Sequence, residues 1–240
     1  MRSLEEMLPS MTARSVALSL LLGMESGSLA VGTILRFVEP LGFSAPAMRT
    51  ALSRMVANGD LEMSGGVYAL GPKHRMRLEA HEEDIAPKLQ PDEGSWCMAV
   101  ISITGRPASS RALTRDALQG RRYAELREGV WLRPNNLVNG VPSMPEIEVF
   151  TVQHANEQRL VNHLWDLATW SAETNQILQA MQPGSSPRLR FTAAAAAVRH
   201  LRNDPALPQR LRPDDWPTQL LLDEYKAYRH YIARLASEES

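Results

Sequence analysis

The strongest constraint on this chain is a segment near residue 50 whose side chains separate into two faces on an α-helix. Helical residues advance by about 100° each, so positions three and four apart share a face. The apolar side chains of the segment then gather on one side: Met48, Ala51, Leu52, Met55 and Val56. The opposite side is polar: Arg49, Thr50, Ser53 and Arg54. The pattern predicts a helix that packs one face on a core and presents the other outward.

The predicted helix has clear ends and the neighbours that a winged helix-turn-helix requires. Ser44 suits an N-cap, Pro46 suits the first turn and Asn58-Gly59 suits a C-cap. Two helical patterns precede it and two strand patterns follow it: Thr12–Met24, Ala30–Glu39, Asp60–Met63 and Val67–Leu70. The strands are joined through Gly65-Gly66, which suits a tight hairpin because glycine adopts positive φ angles at little cost.

The polar face of this helix predicts DNA recognition in the major groove. Arginine can donate two hydrogen bonds to guanine, and serine and threonine contact bases or phosphates. The predicted DNA-binding residues are Ser44, Arg49, Thr50, Ser53, Arg54 and Arg75. Ser44 begins the helix, where backbone N–H groups suit a phosphate, and Arg75 follows the hairpin. The alternative is a surface helix whose arginines are only solvated.

The rest of the chain predicts an α+β fold in three domains, at residues 1–84, 95–182 and 187–240. Pro87 and Pro91 mark the first linker. The middle region has strand and helix patterns in mixed order: Trp96–Ile103, Ser109–Gln119, Ala124–Leu132, Glu146–Gln153 and Gln158–Met181. The last region is helical: Phe191–Leu201 and Thr218–Ala236, separated by the proline-rich connector Asp204–Pro217.

Composition limits the functional class. The net charge is −1 and 44% of the residues are hydrophobic, so the chain is a globular protein and not a polybasic one. The single cysteine, Cys97, excludes an intrachain disulfide and fits a cytoplasmic protein. We find no membrane-spanning run, no signal peptide and no catalytic, metal or cofactor motif, so we expect a non-enzyme without a cofactor.

Several segments, in order along the chain, resemble the PaaX family of phenylacetate-catabolism repressors. They are A-R-S at Ala13–Ser15, P-L-G at Pro40–Gly42, M-R-T-A-L-S-R-M-V at Met48–Val56, E-L-R-E-G-V-W-L-R-P at Glu125–Pro134, L-R-N-D-P-A-L-P at Leu201–Pro208 and D-W-P at Asp215–Pro217. The resemblance implies an N-terminal winged helix-turn-helix, a ferredoxin-like (Cas2-like) middle domain and a helical C-terminal domain. It also implies a homodimer that binds a palindromic operator in double-stranded DNA and is released by an acyl-CoA, phenylacetyl-CoA in the type case. This chain departs from the family at the hairpin, whose turn carries fewer basic and polar residues than the family's wing.

The middle region offers candidate effector contacts. The stretch Arg106–Arg133 is locally basic, and Arg111 and Arg115 are four apart on a predicted helix. Such a face suits CoA phosphates, and a tryptophan suits an apolar pocket. The predicted effector-binding residues are Arg111, Arg115, Trp131 and Arg133. A solvated surface and a dimer contact are the alternatives.

Two competing functions remain open at this stage. A Cas2-type nuclease would need a carboxylate on or just after the first strand of the middle domain to hold a metal. The segment Trp96–Ile103 has none and is followed by Thr104-Gly105-Arg106, which counts against a nuclease. The other alternative is a winged helix that binds a protein partner instead of DNA.

Overall fold

The computed structural model describes residues 4–8, 10–103 and 105–237. It has a mixed α+β fold, as predicted, and its strands form two antiparallel sheets. The described chain forms two compact units. The central unit takes residues 83–172 and 200–218, and the N-terminal unit takes those up to 82, 173–199 and those from 219 onward. The predicted division into three domains stays a prediction.

Eight elements precede the first strand of the central unit, β4. They are α1 Leu4–Met7, α2 Ala13–Gly23, β1 Ser28–Ala30, α3 Val31–Val38, α4 Ala45–Ala57, β2 Leu61–Ser64, β3 Val67–Leu70 and α5 Pro72–Ile85, followed by β4 Trp96–Ile101. The later elements are α6 Ala108–Gly120, β5 Ala124–Arg127, β6 Val130–Pro134, β7 Ile147–Val152, α7 Glu157–Leu164, α8 Leu167–Met181, α9 Pro187–Arg202, a 3-10 helix Gln209–Leu211 and α10 Thr218–Ser237.

The N-terminal unit places three helices against a three-stranded sheet of order β1-β3-β2. Its core consists of apolar side chains at helical spacing, among them Leu21, Ile34, Leu52 and Met55, all at most 1% exposed. The hairpin between β2 and β3 pairs Ser64 with Val67. Gly65 and Gly66 both have positive φ angles, which explains why the turn uses two glycines.

The C-terminal helices complete this unit by holding its loops. The Arg188 guanidinium donates to the Leu41 carbonyl at 2.9 Å, in the turn between α3 and α4. Gly42 has a φ of +87°, and a β-carbon there would lie 3.2 Å from the Arg188 guanidinium. Glycine in the P-L-G segment therefore meets both a backbone and a packing requirement.

The central unit contains a four-stranded antiparallel sheet of order β5-β6-β4-β7, with β4 and β6 in the middle. One cluster of its core contains Trp96, Leu132 and Val161, and a second contains Trp131, Leu118 and Tyr123.

The L-R-N-D-P-A-L-P segment has a structural role in this unit. The buried Asp204 carboxylate accepts hydrogen bonds from the Trp216 indole N–H at 3.3 Å, from the Ala206 amide at 2.5 Å and from the Thr218 hydroxyl. Asp204 therefore ties the D-W-P segment to the end of α9.

Two predicted elements differ from the structure, and one observed strand was not predicted. Ala124–Leu132 is two strands, β5 and β6, because Gly129 turns the chain with a φ of +76°. Gln158–Met181 is two helices, because Asp166 accepts from the Thr169 amide and starts α8 anew. Strand β1, which pairs with β3, was not predicted. Of the described helices, none combines the length and apolar character that a bilayer crossing needs.

Candidate nucleic-acid interface

Helix α4 has the two faces that the sequence predicts. Met48 and Leu52 are 0% exposed and Met55 is 1% exposed, and this side contacts α2 and α3. The four polar side chains of the other side are all exposed: Arg49, Thr50, Ser53 and Arg54. The core contacts of α4 are therefore all on its apolar side, and its polar side faces solvent.

The ends of α4 are fixed by local chemistry. The Ser44 hydroxyl accepts a hydrogen bond from the Ala47 amide at 3.4 Å, which confirms the predicted N-cap. At the other end Asn58 is the C-cap, and Gly59 follows with a φ of +73°. These caps hold the start of the helix, and thus the position of Arg49, relative to the turn before it.

The side chains on the exposed face differ in which hydrogen-bond donors and acceptors are not already used within the protein. The Thr50 hydroxyl donates to the Pro46 carbonyl at 3.0 Å, so it keeps only an acceptor and a methyl group for a partner. Arg49 and Arg54 have no ion pair with any described residue. Both guanidiniums are thus available for the bidentate contacts that arginine makes to guanine or phosphate.

Arg75 is already engaged within the N-terminal unit. Its guanidinium donates to both Glu62 carboxylate oxygens, at 2.9 and 3.2 Å, and to the Leu70 carbonyl at 2.9 Å. The hydrogen bond to Glu62 raises the pKa of Arg75, and the same contact lowers the pKa of Glu62. Arg75 therefore joins the hairpin to α5. It could contact a DNA phosphate only by giving up its hydrogen bonds to Glu62.

A polar cluster that the sequence did not predict sets the position of β2 behind α4. Asp60 accepts from the Arg14 guanidinium at both carboxylate oxygens, each at 3.1 Å, and from the His74 imidazole at 3.0 Å. The hydrogen bond from His74, followed by the contact with Arg14, holds the pKa of Asp60 below its ordinary value. The cluster joins α2, the start of β2 and α5. The sequence gives no signal for it because the three residues lie far apart along the chain.

The four predicted effector residues do not share one accessible surface. Arg111 and Arg115 are exposed on α6, whereas Trp131 is 3% and Arg133 is 1% exposed on β6. Arg133 donates to Asn136 at 3.0 Å, and its guanidinium carbon lies 5.8 Å from the centre of the Tyr123 ring. Burial lowers the pKa of Arg133 to about 10. The effector role of all four stays a prediction.

Comparison with known proteins identifies the family. A family model described as PaaX-like protein matches residues 12–71. The solved structure of the uncharacterized protein Rv0674 from Mycobacterium tuberculosis is 34% identical, with a TM-score of 0.85 over 95% of this chain and 99% of that chain. The chain belongs to the PaaX-like family. A search of the curated proteins gave no match.

The PaaX-like match extends from the N-cap of α2 to the residue after β3. It thus includes the whole of α4 and the hairpin, which are the elements that carry the candidate interface. The PaaX-like family is a family of regulators, so this chain is a regulator-family member. No group of three or more histidine, cysteine, aspartate or glutamate residues suited to a metal ion occurs among the described residues.

Proposed function

We propose that this PaaX-like chain is a cytoplasmic transcriptional repressor that binds double-stranded operator DNA through a winged helix-turn-helix. Helices α3 and α4 would be its helix-turn-helix and the β2–β3 hairpin its wing. The observation that carries the proposal is the outer face of α4, where Arg49 and Arg54, which form no ion pair with any described residue, stand beside exposed Thr50 and Ser53. DNA offers guanine edges and phosphates, which arginine, threonine and serine side chains on such a face can contact.

The central sheet supports the second part of the proposal. Its order, β5-β6-β4-β7, places the first and third strands of the unit in the middle, which is the strand order of a ferredoxin-like fold. A loop instead of a helix connects β6 to β7, so the unit would be a variant of that fold. We propose a Cas2-like central domain in a homodimer, with the two α4 helices about 34 Å apart on a palindromic site.

An acyl-CoA such as phenylacetyl-CoA is the proposed effector. Binding of the effector and binding of DNA would oppose each other by linkage: a ligand that favours a dimer unable to span both half-sites weakens DNA binding, and DNA weakens the ligand to the same degree. The family membership supports the regulator part of this scheme, and the effector itself is the proposal.

DNA binding is tested with a double variant of α4 and a matched control. We would measure the affinity for the DNA upstream of the protein's own gene, by fluorescence anisotropy at two salt concentrations. Arg49→Ala together with Arg54→Ala is expected to cost about 1–3 kcal/mol for each arginine that contacts a base. The control, Arg111→Ala with Arg115→Ala, removes two exposed arginines from a helix of the central unit and should leave the affinity unchanged.

Each outcome separates the proposal from its alternative. Loss of specific binding in the α4 variant alone, with binding that weakens as salt rises, supports DNA recognition by α4. Unchanged affinity in a folded α4 variant would contradict it. If no promoter fragment is bound better than random DNA, the N-terminal unit is better described as a protein-interaction module.

A further inference from the structure

A cleft of the N-terminal unit has α10 along one side. Its volume is about 1000 Å³. One wall is a single face of α10, with Lys226, Arg229, His230 and Ala233. The other wall comes from the segment that joins α2 to β1, from β1 with Leu29, and from α5 with Leu78. A cleft of this size accommodates a small organic ligand, since such sites typically measure about 300–1,000 Å³.

The α10 wall presents nitrogen donors within little more than one helical turn. Arg229 donates to the Gly23 carbonyl at 3.1 Å and pairs with Glu82. Its side chain is 15% exposed and that of Glu82 is 57% exposed. The Glu82 carboxylate is therefore the member of the pair that can turn away into solvent and leave Arg229 to a ligand. Lys226 and His230 have no ion pair with any described residue.

The opposite wall supplies apolar surface and hydroxyl groups. Leu29 and Leu78 offer aliphatic side chains, and Ser26 and Ser28 bond to each other at 3.1 Å. The carboxylates in the cleft are Glu82, already paired, and Glu25, which is exposed. A ligand with an anionic group at α10 and an apolar body against the leucines would satisfy both walls, whereas a cationic ligand would meet the three nitrogen-bearing side chains of α10.

We infer that this cleft binds the small organic anion that regulates DNA binding, an inference that rests on the proposed repressor function. A carboxylate and the phosphates of a CoA thioester share the anionic chemistry that α10 would recognise. The inferred site lies in the N-terminal unit, apart from the arginines of α6 that the sequence suggested.

The connection to the DNA-binding elements runs through the cleft wall itself. Leu29 lies on β1 and pairs with Tyr68 on β3, the second strand of the hairpin. The Leu70 amide at the end of β3 donates to the Gly27 carbonyl at 2.9 Å. A β-carbon at Gly27 would lie 3.0 Å from Leu78 and 3.2 Å from Leu70. A ligand that displaces residues 26–29 therefore displaces the strand to which the wing belongs.

Calorimetric titration of the full chain with phenylacetate, phenylacetyl-CoA and CoA alone tests the assignment. Binding of phenylacetate identifies the carboxylate as the anchor, and binding of the thioester together with CoA identifies the phosphates. Lys226→Ala should weaken the ligand about tenfold, the usual effect of losing one hydrogen bond to a charged group. Glu82→Gln should strengthen binding several-fold, because it removes the carboxylate that competes for Arg229.

Two further variants complete the design. Ala233→Trp fills the cleft from α10 and should abolish binding. Arg111→Ala with Arg115→Ala, the rival surface, should leave ligand affinity unchanged. The assignment is wrong if none of the three compounds binds, if both Lys226→Ala and Ala233→Trp bind as the unaltered protein does, or if Glu82→Gln weakens binding.

The DNA measurement separates this inference from the proposed function. Without ligand, Lys226→Ala should bind the promoter fragment as tightly as the unaltered protein and should need about ten times more ligand for release. If the chain binds the ligand in the cleft but no DNA, the repressor proposal fails and the binding site stands. If DNA binds and the ligand does not, the reverse holds.

Discussion

Replacing Asp60 with asparagine tests the polar cluster that positions β2 behind α4. The variant keeps the shape of the side chain but removes the charge that accepts from His74 and Arg14. The His74 side chain is 3% exposed, whereas that of Arg14 is 56% exposed. We expect the free energy of unfolding to fall by about 2–3 kcal/mol, since a hydrogen bond to an ionised group contributes about 1.5–3 kcal/mol and an exposed ion pair at most about 1 kcal/mol.

The assay can separate the two units spectroscopically. All five tryptophans lie in the central unit: Trp96, Trp131, Trp165, Trp170 and Trp216. Tryptophan fluorescence during urea denaturation therefore follows the central unit, and far-ultraviolet circular dichroism follows both. Glu62→Gln is the matched control because Glu62 also pairs with an arginine of the same unit but is exposed. We expect no measurable change from it.

The pH dependence of this prediction has a definite sign. The pKa of Asp60 is lower in the folded chain than its ordinary value of 3.8. Its contribution to stability is therefore fully present above that value and is lost as the pH falls through the lower folded-state pKa. The difference between the unaltered protein and Asp60→Asn should shrink below a pH of about 4. A difference that is absent at neutral pH, or constant down to strong acid, would refute the argument.

Three further predictions follow from buried positions. Leu52→Ala empties a site that is 0% exposed and should lower the free energy of unfolding by about 2–5 kcal/mol, measured by urea denaturation. Gly71→Ala should prevent normal folding of the hairpin, seen as lost circular dichroism or a lowered melting temperature, because the new β-carbon would lie 2.3 Å from the Gly59 carbonyl oxygen. Cys97 is 3% exposed and burial raises the pKa of its thiol, so a disulfide reagent at pH 8 should modify it only when denaturant is added.

The sequence predicts local features of the interface well because they are encoded within a few residues. The faces of α4, its Ser44 cap and the Gly65-Gly66 turn all depend on residues that are close together in the sequence. The strand β1 was missed because a strand of three residues has too short a pattern, and its pairing with β3 decides its conformation.

Contacts between distant segments account for the rest. Nothing near Arg14 indicates that it meets Asp60, and nothing near Lys226 indicates that α10 forms a cleft with the segment after α2. Arg133 and Trp131 fit an effector site by residue type, but β6 is an inner strand of the sheet and all five of its residues are buried. Side-chain chemistry is visible in the sequence, and exposure at such positions depends on the packing of distant segments.

The N-terminal unit is assembled from three separate stretches of chain, and the last of them contains α10. During synthesis, α4 leaves the ribosome long before α10 does, whereas the residues of the central unit are all earlier than residue 219. Domains generally fold as units while the chain emerges. The central unit can thus fold first, and the N-terminal unit is complete only after α10 has been synthesised.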